Sequence, residues 1–148
     1  MLVALYIFIN TYGIICVVRN IENVKITDKN SSYYCSSMSE GLYKDLNEIT
    51  EYIKMKNDEG IEVYILSQNA PLYMIALKQN HGEFDLPFRG NLGYNGEEKL
   101  INKIGNLENT QILLSSNIYW QEVREVRAYV ISNFNKVGLI GEYTIYNK

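Results

Sequence analysis

The stretch Leu2 to Val18 carries no charged side chain, and Arg19 opens a polar, tyrosine-rich remainder of ordinary globular composition. At about 1.5 Å per residue such a stretch reaches roughly 25 Å as a helix, close to the ~30 Å hydrocarbon core of a bilayer and within the range of apolar spans. The pattern predicts a transmembrane helix over 1–18 followed by a folded extracytoplasmic domain over 19–148. A secretory signal would need a basic start and a small-residue cleavage site, yet only Met1 precedes the apolar run and Arg19 follows it. A lipoprotein signal would need a small residue before its cysteine, whereas Cys16 follows Ile14 and Ile15. The competing arrangement is a buried hairpin, because Val, Ile, Tyr and Phe favour strands and Asn10-Thr11-Tyr12-Gly13 suits a turn. Charge does not set the orientation, since the only flanking cations are Arg19 and Lys25.

The 148 residues suffice for one domain with a real core. Charged residues make up 21% of the chain and the net charge is −3, with no basic stripe, which argues against nucleic acid as a partner. Two cysteines, Cys16 and Cys35, do not make a disulfide framework, so cysteine usage leaves the compartment open. The chain shows no repeat and no low-complexity tract; Arg19 to Ser32 reads as a polar linker.

Beyond the linker the periodicity switches repeatedly between helix and strand, the pattern of a layered α/β domain. Ser37-Met38-Ser39-Glu40 fits a capping box, and Leu42, Leu46, Ile49 and Ile53 form one apolar stripe of the helix that should follow, with Gly60 as its stop. Glu62 to Leu66 reads as a buried strand, and Pro71 can open a short helix bearing Leu72, Tyr73, Ile75 and Ala76. Gly96 to Ile104 is a third candidate helix closed by Gly105, and Thr110 to Leu114 a second short strand. Val123, Val126, Val130 and Phe134 predict a helix over 119–134, and Gly138 to Tyr146 ends the chain as a strand with one wet face. Strands alternating with helices imply a mainly parallel sheet covered on both sides, with an antiparallel edge as the variant.

Three constellations are candidates for chemistry. The run Asp85 to Glu98 is the densest glycine and polar cluster, with Gly90, Gly93 and Gly96 at three-residue spacing before a helix N-terminus. Glu97 and Glu98 occupy the first turn of that helix and would repel a phosphate, and no Lys-Ser/Thr pair follows the last glycine. The loop therefore reads as an ordered turn with a capped helix, or as a polar ligand surface formed by Asp85, Arg89, Asn91 and Asn95 at the strand ends, where open α/β sheets bind. His81 lies in a polar turn without metal-ligand spacing around it and receives no role. Thirteen tyrosines and Trp120 can stack on sugars or favour a membrane interface, although scattered tyrosines mostly pack. Neither a cofactor motif, a metal set, a nucleophile elbow nor a catalytic residue is indicated.

An ordered set of short motifs runs through residues 19–148. It comprises Ile49-Thr50-Glu51-Tyr52-Ile53, Val63-Tyr64-Ile65-Leu66-Ser67, Ala70-Pro71-Leu72-Tyr73-Met74, Phe84-Asp85-Leu86-Pro87, Gly90-Asn91-Leu92-Gly93, Gly96-Glu97 and Trp120-Gln121-Glu122. In this set the chain resembles the C-terminal extracytoplasmic domain of multi-spanning bacterial membrane proteins of the dolichyl-phosphate-mannose protein mannosyltransferase-like group, glycosyltransferases that use polyprenyl-phosphate sugars. The resemblance implies that the apolar opening is the last of several spans. It also implies that catalysis belongs to a preceding membrane portion, so no catalytic residue carries over. The expected partners are the lipid bilayer and, through the parent protein, a lipid-linked sugar or glycan acceptor. Two alternatives stand beside it: a single-pass anchored module that binds carbohydrate or protein, and a small soluble α/β protein.

Overall fold

The structure, a computed structural model, describes residues 23–77, 92–118 and 122–148. The chain divides into two compact units, residues 1–44 and 45–148. Residues 1–18, where the transmembrane helix is expected, lie outside the described residues, and among the described ones no helix is long and apolar enough to cross a membrane.

In the first unit, β1 (Asn23–Lys25) pairs antiparallel with β2 (Ser37–Ser39) in the register Asn23↔Ser39. The expected polar linker over 19–32 thus contains a strand. Ile26 and Tyr33 are buried, and Tyr33 meets Tyr43 edge to face at 6.5 Å between ring centroids. Helix α1 (Glu40–Asp58) starts at the last residue of the proposed capping box, two residues later than a cap at Ser37 would start it. Its cap is Ser39, whose Oγ accepts the Leu42 N–H at 3.3 Å. Ser37 is spent in β2, and the position three beyond Ser39 is Leu42, which offers no carboxylate for the return bond.

The second unit holds a four-stranded sheet in the order β3-β4-β6-β5, built from β3 (Glu62–Leu66), β4 (Thr110–Ser115), β5 (Asn135–Ile140) and β6 (Tyr143–Asn147). Helices α2 (Ala70–Leu77) and α3 (Gly96–Gly105) lie between β3 and β4 in the chain, and α4 (Arg124–Asn133) between β4 and β5. The mainly parallel sheet expected from the alternation of elements is corrected to a mixed one: β3 and β4 are parallel, whereas β4/β6 and β6/β5 are antiparallel. The reason is a single turn. The three helix-connected strands do point the same way, but the final segment is two strands reversed at Gly141-Glu142, and β6 inserts between β4 and β5. Gly141 supplies the turn with φ +50°, a conformation that costs an L side chain roughly 1–2 kcal/mol.

Side-chain alternation then sorts the layers. Ile112 and Leu114 of β4 join Leu66, Leu100, Ile104, Val126, Val130, Phe134 and Tyr146 in one buried cluster beneath α3 and α4. Leu113 and Gln111 point to the opposite face, where Tyr52 of α1 donates its hydroxyl proton to Gln111 Oε1 at 2.5 Å and Tyr73 of α2 packs on Tyr143. Leu46, Ile49 and Ile53, three residues of the predicted stripe, are buried on α1. Each such fully buried aliphatic side chain contributes about 1.5–3 kcal/mol. The final helix is shorter than expected: it begins at Arg124, Val123 before it is extended, and residues 119–121 lie outside the described residues.

Candidate functional site at the strand ends

Both parallel strands finish in the same short sequence, Leu66-Ser67-Gln68-Asn69 after β3 and Leu114-Ser115-Ser116-Asn117 at the end of β4, and the register Leu66↔Leu114 sets the two side by side. Each serine folds its own turn. Ser67 Oγ accepts the Asn69 N–H at 3.1 Å, and Ser115 Oγ accepts the Asn117 N–H at 3.2 Å. Both asparagine amides are thereby aimed at one carboxylate: Asn69 Nδ2 donates to Glu142 Oε1 at 3.4 Å and Asn117 Nδ2 to Glu142 Oε2 at 2.7 Å. Glu142 reaches this position because the turn before β6 brings it to the carboxyl end of β4, where Tyr143 faces Ser115 and the Ser116 N–H donates to the Glu142 carbonyl at 2.7 Å.

Beneath the clamp runs a buried hydroxyl chain. Tyr73 donates to the Tyr143 oxygen at 3.2 Å, and Tyr143 donates to Ser67 Oγ at 3.0 Å. Tyr143 is 0% and Ser67 1% exposed. Burial pushes the Tyr143 phenol up to about 12, with the hydrogen bonds to Ser67 and Tyr73 pulling in the opposite direction. Ser67 is sealed from solvent and already accepts two hydrogen bonds, so it serves as a strut rather than as a nucleophile. On the other flank Arg127 donates from Nε to Glu122 Oε1 at 2.7 Å and from its terminal nitrogen to the Ser115 carbonyl, tying the start of α4 to the end of β4. Glu122 is only 7% exposed, and this ion pair compensates a carboxylate that burial would otherwise make costly.

Of the residues expected to form a ligand surface, Asp85, Arg89 and Asn91 lie outside the described residues. Asn95 is described: it is exposed, left-handed at φ 53°, and precedes α3 without capping it through its side chain. It lines an open groove of about 540 Å³ with Leu92, Gly93, Glu97, Glu98 and, from α4, Glu125. Glu97 and Glu98 stand in the first turn of α3 as the sequence predicts, and they give the groove an acidic wall. Tyr94 beside it is 88% exposed. His81 also falls outside the described residues, and among those described no group of three His, Cys, Asp or Glu side chains could hold a metal ion.

Sequence reasoning missed the Ser-x-Asn pair and Glu142. The signal is in the sequence: the segment Leu-Ser-x-Asn occurs twice, each time after a β-prone run, although four residues are too short to stand out as a repeat. Fold and site together define a three-layer α/β unit with a polar cluster at the carboxyl edge of its parallel strands. No protein-family model matches the chain, and neither does any curated protein or solved structure.

Proposed function

We propose that the chain is a non-catalytic recognition domain that binds a polyhydroxylated ligand, a sugar, at the carboxyl edge of its sheet, as the extracytoplasmic accessory domain of a glycosyltransferase-like integral membrane protein. The observation that carries this reading is the Glu142 carboxylate held at both oxygens by Asn69 and Asn117 from the ends of two adjacent parallel strands. A sugar hydroxyl donates and accepts at once, and a fixed row of amide N–H, amide C=O and carboxylate oxygens offers complements to both. The position fits too, because ligands of open α/β sheets sit outside the carboxyl ends of the parallel strands. The accessory role rests on the resemblance drawn from the short motifs between Ile49 and Glu122.

Saturation-transfer NMR on the full 148-residue chain, with a panel of neutral monosaccharides and soluble sugar phosphates, tests the reading. At least one sugar is expected to bind, and Glu142→Gln and the pair Asn69→Ala/Asn117→Ala are expected to weaken it about tenfold or more, the worth of one charge-assisted hydrogen bond. Circular dichroism checks that the variants fold. A bound sugar indifferent to both variants, or no bound sugar at all, refutes the site. For the accessory role, removal of the domain from a parent transferase should lower sugar transfer, and unaltered transfer would count against it.

A further inference from the structure

The loop between β1 and β2 is pinned at its base by two backbone hydrogen bonds. The Ile26 N–H donates to the Ser36 carbonyl and the Cys35 N–H to the Ile26 carbonyl, both at 3.0 Å. The tip reads Asp28-Lys29-Asn30-Ser31-Ser32. Asp28 organises it, accepting the Ser31 N–H on its carbonyl at 3.1 Å and the Asn30 N–H on its carboxylate at 2.9 Å. Ser31 Oγ accepts the Tyr33 N–H at 3.2 Å and meets the Tyr43 hydroxyl at 3.4 Å, a long contact for two hydroxyl oxygens. Thr27 to Asn30 and Ser32 are exposed, and no hydrogen bond among the described residues engages the Asn30 carboxamide.

Asn30-Ser31-Ser32 is the one Asn-x-Ser/Thr triplet in the sequence, and its middle residue is not proline. This triplet is the acceptor of N-linked glycans, which need a surface loop that a transferring enzyme can reach. The acidic residue two places earlier, Asp28, completes the five-residue acceptor read by oligosaccharyltransferases of the bacterial type.

We propose that Asn30 is an acceptor for N-glycosylation by a lipid-diphosphate-linked oligosaccharide. Asn30 Nδ2 bonds to the anomeric carbon of the first sugar, the bond from that carbon to the diphosphate oxygen breaks, and its electron pair leaves with the lipid diphosphate. One amide proton passes to a base of the transferase. Asn30 lies in the first unit, and its use as an acceptor is independent of any ligand at the Ser-x-Asn pair of the second.

The test incubates the purified full chain with a bacterial oligosaccharyltransferase and its polyprenyl-diphosphate oligosaccharide, followed by intact-mass and glycopeptide analysis. One added glycan is expected, mapped to Asn30, absent from Asn30→Gln and Ser32→Ala, retained in Ser32→Thr and reduced at least tenfold in Asp28→Ala. An intact chain that gains no glycan overturns the proposal, whether or not a synthetic peptide of residues 26–36 is modified. A glycan that persists in Asn30→Gln overturns it as well.

Discussion

Tyr143 joins two layers of the second unit through one oxygen, donating to Ser67 at the end of β3 and accepting from Tyr73 on α2. Replacing it by Phe removes both bonds and should cost about 1–2 kcal/mol near pH 8, mainly through the polar partners left behind in a buried place. The same burial makes its contribution pH-dependent. Below the ordinary phenol value of about 10 both folded and unfolded chains keep the proton and the contribution is complete. Above that value the unfolded chain releases the proton first, because the folded phenol is pushed up to about 12, so stability falls as pH rises through this window. The loss attributable to Tyr143 is on the order of 2–3 kcal/mol across it. Urea titrations between pH 8 and 11.5 should therefore show the gap between wild type and Tyr143→Phe narrowing with pH; a constant gap contradicts the assignment.

Elements bounded by their own punctuation were legible in the sequence. β3 lies between Gly60 and a polar turn, α3 opens at Gly96 with Glu97 and Glu98 following in its first turn, and the stripe Leu46, Ile49, Ile53 of α1 is buried as its spacing demands. Elements whose pattern is set by a distant partner were not. β5 lies at the edge of the sheet formed by the described residues, four of its six residues are exposed, and its register shifts between Lys136 and Gly138, so its alternation is erased and the sequence pattern does not separate it from β6. β2 owes its extended form to pairing with β1, and its serines looked like the start of a helix. The clamp on Glu142 was hidden for a related reason: its two asparagines sit in repeated local turns, but the carboxylate joins them only because β6 enters the sheet between β4 and β5. That insertion depends on the reversal at Gly141. Gly141→Ala should cost about 1–2 kcal/mol through the left-handed backbone alone, since a methyl group there would meet Ile49 only at an ordinary 3.6 Å. Thermal melts check the magnitude, and an unchanged or raised midpoint would contradict the turn geometry.

At the scale of the whole chain, the two units differ in what holds them. β4 is paired on both sides and all six of its residues are buried, while the described residues of the first unit show one antiparallel pairing of two three-residue strands, with Ile26 and Tyr33 buried. Two-stranded hairpins are marginal by themselves, and local opening energies span the range from near zero to that of global unfolding. Amides of 110–115 and of β6 should accordingly exchange with deuterium at the slowest, globally limited rate. Amides of 23–39 should exchange ~100-fold faster, a gap of about 3 kcal/mol, because the pairing described there is a two-stranded one of three residue pairs. β3 and β5, which pair on one side only among the described residues, should fall between. Exchange followed by mass spectrometry under native conditions resolves these segments. If 23–39 and 110–115 exchanged at one common rate and lost protection together in low denaturant, the division of the chain into separately stabilised units would be wrong. The loop carrying Asn30 would then be braced by the global fold rather than by its own base, and the local turn at Asp28 would no longer account for its presentation.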